Sequence, residues 1–315
     1  MINLILQGIV PVVFILALGF YAGRKDFINE EGSRNFSTFI VNFALPCTLF
    51  VGIFSFTPQQ FENVSFIITL VLALIIPFII AVGTGIKIFH KPVAEAGLFA
   101  CNSAFPDMAY FGLPVLLSIV GAQGLLPVIV GNLVTSIIMV PSIVYMVHKG
   151  EANATAPAGK GGGSFLANMA DTVKQPVVWA PILGLVLVLL NVKLPVLVTD
   201  SLKLFGQATG GVALFTLGVM LSRLKFSIDL STVVVMFLKN LAMPAIALGL
   251  ALLFHLDGPL AKGAIICAAC PSATFGAMLS AKFKIGQNTI PPEILASNIL
   301  GIFSMGFWIF IVERM

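Results

Sequence analysis

Asp107 lies in Cys101-Asn102-Ser103-Ala104-Phe105-Pro106-Asp107-Met108-Ala109-Tyr110-Phe111-Gly112-Leu113-Pro114, a stretch otherwise apolar enough to cross a bilayer. A carboxylate at membrane depth is costly unless it is paired, solvated or neutralised, so it marks a functional site by default. Pro106, Gly112 and Pro114 surround it with helix breakers. Proline removes a backbone donor and disturbs the carbonyl four residues earlier, and glycine relaxes φ. Irregular backbone is tolerated at that depth only when it is buried in protein or lines a wet cavity. A second interruption, Cys270-Pro271-Ser272-Ala273-Thr274-Phe275-Gly276, carries the hydroxyls of Ser272 and Thr274 in place of the carboxylate. Freed amides at a half-helix N-terminus suit an anion. Freed carbonyls, with Asp107, suit a cation or proton. The chemistry expected is therefore binding: an anionic substrate and a coupling ion between two broken helices.

Other polar residues in apolar surroundings join this set. Asn102 and Tyr110 flank Asp107, and Asn42 and Thr48 lie around Pro46. Gln207 and Thr209 sit in a Gly-rich run, and Asn132, Thr135 and Asn298 are further intramembrane amides and hydroxyls. Asp107 is the one deep carboxylate expected. Lys239 lies about a third of the way into its apolar run and is expected to snorkel to the nearer surface. His90, His148 and His255 fall at loop edges and take no ligand role. Cys47, Cys101, Cys267 and Cys270 read as small buried apolar residues, without zinc or disulfide spacing. No metal site or cofactor is expected beyond a possible coupling Na+. No phosphate-cradling loop, His-Glu-x-x-His or nucleophile elbow occurs, so the chain does not read as an enzyme.

The elements that must position these residues are membrane helices. The chain is 58% hydrophobic and 10% charged with mean hydropathy +1.06, against roughly 25% charged in a soluble domain. The net charge of +4 is read as topology anchoring rather than nucleic-acid binding. Apolar runs predict about ten spans, near 3–23, 35–55, 64–86, 95–120, 123–147, 175–192, 197–222, 231–254, 260–282 and 290–312. The first lacks a basic start and a small-residue cleavage site, and reads as a mature helix rather than a signal peptide.

Residues 150–174 are polar and Gly/Ala-rich, a flexible linker between two five-span units, 1–149 and 175–315. The fourth span of each unit is interrupted, and matching interruptions point to a transporter binding site. An odd number of spans per unit makes the second an inverted copy of the first. Twelve of seventeen basic residues follow odd-numbered spans. Those loops, and the linker, are expected in the cytoplasm, with both termini outside.

Asp107 followed by Gly112 and Pro114 resembles the Asn-x-x-x-x-Gly-x-Pro motif in the fourth span of the auxin efflux carrier family. That family includes bacterial malate and malonate permeases. Pro271 to Gly276 running on to Lys282 resembles its ninth-span crossover, and Pro292 to Ser297 the start of its last span. Leu45-Pro46 and Leu214 to Gly218 also fit. The resemblance implies ten helices in two inverted five-helix repeats, with crossed, broken helices 4 and 9 and an elevator-like division. It also implies a plasma-membrane transporter, dimeric in many members, for a small organic anion. Asp107 stands where the family has Asn. A carboxylate beside a substrate anion is repulsive unless protonated or paired with a cation. Asp107, with Ser272 and Thr274, is therefore the expected H+ or Na+ site. A bile-acid-type sodium symporter or Na+/H+ antiporter is the alternative, and a membrane sensor a weaker third.

Overall fold

The computed structural model describes residues 2–54, 63–155, 176–190, 192–224 and 227–315. These residues are helical, and their one strand-like feature is an isolated antiparallel bridge between Pro106 and Ser272. In chain order, α1 is Ile2–Arg24, α2 Glu30–Ile53, α3 Val64–Lys87, α4 Val93–Ala104, α5 108–120 and α6 125–155. Then α7 is Pro176–Leu189, α8 Val196–Ser222, α9 Leu230–Leu253, α10 Gly258–Ala269, α11 Phe275–Phe283 and α12 Ile290–Val312. Among the described residues, 6 helical stretches are long and apolar enough to cross a membrane, and shorter apolar helices accompany them.

Short polar side chains start several helices by taking orphan N–H groups of the first turn. Asn29 Oδ1 accepts from the Gly32 N–H (2.8 Å) for α2. Asn63 accepts from the Phe66 N–H (2.9 Å) for α3, and Asp229 from the Thr232 N–H (2.7 Å) for α9.

Proline shapes the helix interiors. Each π-helical turn in the described chain precedes a proline by two residues: Ile40–Ala44 before Pro46, Met108–Gly112 before Pro114, Thr135–Met139 before Pro141 and Leu238–Ala242 before Pro244. Proline has no N–H and its ring crowds the carbonyl four residues back. Widening one turn to i→i+5 bonding makes room for the ring without ending the helix. The carbonyls released from α-helical bonding belong to Asn42, Tyr110, Ile137 and Asn240.

Two packing groups result. α1 lies along the second part of α8, and α7 along the second part of α2. The α1–α8 seam is very close: a Cβ on Gly19 would come within 2.0 Å of the Phe215 carbonyl oxygen. Glycine there lets the two backbones touch. In the other group, α3 packs on α4 and α9, α4 on α6, α9 on α10, and α12 on both α9 and α10.

Two expectations change. The breaks are narrower than the sequence suggested: Gly112 lies inside a π turn, Pro114 in the first turn of the α-helix after it, and Gly276 inside α11. α8 forms one helical stretch as expected, with a one-residue lapse at Gln207, beside which the Thr48 hydroxyl lies 3.0 Å from the Gly206 carbonyl. The polar stretch 150–174 begins inside α6, which reaches Thr155, and 156–174 lie outside the described residues.

Candidate functional site

α4 and α10 end at Ala104 and Ala269, and the chain segments that follow cross. The Asp107 N–H donates to the Pro271 carbonyl (2.8 Å) and the Ala273 N–H to the Phe105 carbonyl (3.0 Å). The Phe105 and Phe275 rings stack beside these bonds at 5.5 Å. Ser272 Oγ donates to the Asn102 carbonyl, which ties the second break to the helix preceding the first.

Asp107 has two roles open to it. Its Oδ1 accepts from the Tyr110 N–H (3.0 Å) and caps the half-helix that follows. Its Oδ2 is buried and has no hydrogen-bond partner. Two more buried acceptors around the crossover share that condition, Asn102 Oδ1 and Asn298 Oδ1. The amide nitrogen of Asn102 is held by Glu293 Oε2 (2.8 Å) and the Ile290 carbonyl (3.0 Å), which fixes the direction of its oxygen. That oxygen meets the first turn of α11, where a Cβ on Gly276 would come within 2.2 Å of it. The Asn298 amide nitrogen donates to the carbonyls of Ser272 and Ile294, both at 2.9 Å. Ser297 Oγ accepts from the Ser272 N–H (3.2 Å) and donates to Asn240 Oδ1 (2.7 Å). Trp308 Nε1 donates to the carbonyl that Pro244 released on Asn240 (2.9 Å).

The sequence-derived residues divide among cavities. Asn42, Asp107, Tyr110 and Thr274 line one of ≈ 410 Å³, with Asn132 in its wall and Arg34 at one end. Thr48 and Gln207 line a different one of ≈ 700 Å³, with Ser118, Lys203 and Pro114. Along α2 the first touches 34–42 and the second 48–52; along the break and α5 they touch 105–110 and 113–118. The cavities thus approach one partition from opposite ends. Thr48 Oγ1 and Thr209 Oγ1, 2.9 Å apart, stand on its second side. Asn298 faces a third cavity of ≈ 300 Å³. Asn102 and Ser272 are fully buried behind the break. The amide of Asn132 and the hydroxyl of Thr135 bond within their own helix. No group of three or more His, Cys, Asp or Glu side chains suited to a metal occurs among the described residues.

Two buried charges differ from expectation. Lys239 does not snorkel: it is fully buried, and its Nζ donates to the Ala268 carbonyl (2.9 Å) at the broken end of α10 and approaches Met243 Sδ (3.2 Å). A cation at a helix C-terminus meets the negative end of the macrodipole. Asp107 is joined by a second buried carboxylate. Glu293, in the first turn of α12, is fully buried and accepts from Ser231 Oγ (2.6 Å) and the Asn102 amide. Its place next to Pro291 and Pro292 reads as a helix start near the surface, and its partners are remote in sequence.

The chain matches the family model described as "Membrane transport protein" over residues 4–309. It is 26% identical over 315 residues to the "Uncharacterized transporter YfdV" of Escherichia coli K12, covering 99% of this chain and 98% of that one. It is 23% identical over 313 residues to the "Uncharacterized transporter MJ1031" of Methanocaldococcus jannaschii, covering 96% and 97%.

Proposed function

The chain belongs to the membrane transport protein family, the auxin efflux carrier family that its motifs resemble, and from that membership we infer that it carries a small organic anion by ion-coupled alternating access. The substrate class is a mono- or dicarboxylate such as malate or malonate. The observation that carries this reading is Asp107 Oδ2, buried without a partner in a residue that lines a cavity where two broken helices cross. Asp107 takes the coupling H+ or Na+. The anion meets the first-turn amides of α5 and α11, with Asn42, Tyr110 and Thr274 in reach. Lys239, fixed on α10, offsets part of the negative charge.

The packing supports ten crossings in two inverted halves. The helical stretch Met108–Lys149 has 42 residues, about 63 Å at ~1.5 Å per residue, roughly twice the hydrocarbon thickness. It therefore crosses twice, reversing near Gly121, where φ is +69°. α4–α5 and α10–α11 are the broken fourth and ninth spans. α1 packs on α8 and α7 on α2, so the first span of each half lies on the second span of the other. α3 on α4 and α9 on α10 are matching contacts within the two halves. The group of α1, α2, α7 and α8 is a frame, and the rest is the moving body of an elevator. Lys and Arg after odd-numbered spans put the Arg34 cavity toward the cytoplasm and the Lys203 cavity toward the outside. The working unit is a homodimer in the plasma membrane, with 150–174 cytoplasmic.

Proteoliposomes test this reading. Malate, malonate and a monocarboxylate are offered with an H+ or an Na+ gradient. Gradient-driven uptake that Asp107→Asn uncouples is the expected result. Full coupled uptake by Asp107→Asn would remove the ion role, and binding without flux would favour a sensor. A second reading, Na+/H+ exchange, gains from the second buried carboxylate, Glu293. Exchange without any organic anion would select it.

A further inference from the structure

We propose that the end of the α1–α8 seam is a binding site for an anionic phospholipid. Two cavities there have Arg24 as a common wall. One, of ≈ 430 Å³, is polar and walled by Arg24, Arg223, Asp26 and Ser222. The other, of ≈ 300 Å³, is apolar, formed by Phe20 and Leu16 of α1 and by Leu295, Ile299 and Ile302 of α12, with Asn298 in its wall.

The charges suit a phosphate. Asp26 is engaged by Arg223 (2.8 Å), which also donates to the Ile28 carbonyl (2.7 Å). Arg24 and the adjacent Lys25 leave the cluster net positive. The Arg24 guanidinium lies 5.4 Å from the Phe20 ring centre, on the boundary between the polar and apolar spaces. A diester phosphate beside Arg24 can send one acyl chain along Phe20 into the apolar cavity. Ile299, 45% exposed, and Phe303, 73% exposed, continue that apolar face outward to the bilayer. A soluble anion would leave the apolar space unused. A zwitterionic lipid would bring its ammonium toward two arginines. Basic pockets between membrane helices take anionic headgroups in this way. The lipid spans α1 and α12, members of different packing groups. An effect on transport rests on the elevator reading above; binding does not.

The full-length protein in neutral detergent is titrated with dioleoylphosphatidylglycerol, dioleoylphosphatidylcholine and inorganic phosphate, with thermal stabilisation as the readout. Phosphatidylglycerol is expected to bind about fivefold tighter than phosphatidylcholine, the contribution of roughly one basic side chain. Arg24→Gln abolishes that preference and Lys149→Gln, an exposed residue of α6, keeps it. Ile299→Trp fills the apolar cavity and weakens both lipids. Equal binding of the two lipids, an unchanged preference in Arg24→Gln, an equal loss in Lys149→Gln, or stabilisation by phosphate alone each overturns the proposal.

Discussion

Asp107 joins a structural task to a chemical one in a single carboxylate. Oδ1 caps α5 and Oδ2 is left over. Asparagine caps about as well as aspartate, so Asp107→Asn is expected to keep the melting temperature while gradient-driven uptake drops roughly tenfold, within the usual span of coupling between two sites. Glu293 behaves differently. Glu293→Ala strands the Ser231 hydroxyl and one Asn102 N–H, at about 1–3 kcal/mol for each buried group left unpaired. A thermal melt checks this, and Glu293→Gln, which retains an acceptor, is expected to recover part of the loss. Outside the membrane, partial burial pushes the Asp229 carboxyl up, but hydrogen bonds from the Thr232 N–H and hydroxyl outweigh it and hold the group below its ordinary 3.8. Its stabilisation is therefore complete above pH 3.8 and fades as pH falls through the lowered value. Asp229→Ala is expected to cost about 1 kcal/mol at neutral pH, with the two melting curves converging in acid. Asp107 was legible in the sequence because prolines bracket it. Glu293 and Lys239 were not, because their burial depends on Asn102 and Ala268, groups that only tertiary packing brings near.

At the level of the helix, proline decided what the sequence could reveal. The two interruptions are visible as Pro106 and Pro271, but the breakers beside them, Gly112, Pro114 and Gly276, sit in helical turns. A π turn absorbs Pro114 inside a helix, so a proline alone does not say where a helix stops. The lapse at Gln207 faces Thr48 of a different helix, a neighbour that spacing along the chain does not reveal. Pro114→Ala returns an N–H able to reach the Tyr110 carbonyl. The wide turn is then expected to tighten to ordinary α geometry, with stability equal or higher. Asp107, just ahead of that turn, shifts, and uptake falls about tenfold or more. Hydrogen exchange of 108–114 beside an uptake assay tests both halves of this expectation.

Across the molecule, the two cavities on either side of one partition invite a test of sidedness. In a Cys47→Ser background, a membrane-impermeant maleimide is expected to label Ser118→Cys from outside intact cells. Ser37→Cys, on the Arg34 side, is expected to react only after permeabilisation. Labelling of both from one side would reject the proposed orientation. The helical, membrane-embedded class and the family were legible from composition and motif order. The split of Thr48 and Gln207 from Asp107 was not, since spacing along a chain does not report which side of a wall a residue faces.

The paired backbone bonds at Pro106 and Ser272 carry one more implication. Neither fracture can be displaced without dragging its counterpart, because Asp107 and Ala273 each donate across the junction. Passenger and driver would then share a single rigid carriage. The ion's half of the site could move while the anion's half stays behind only by tearing both stitches at once.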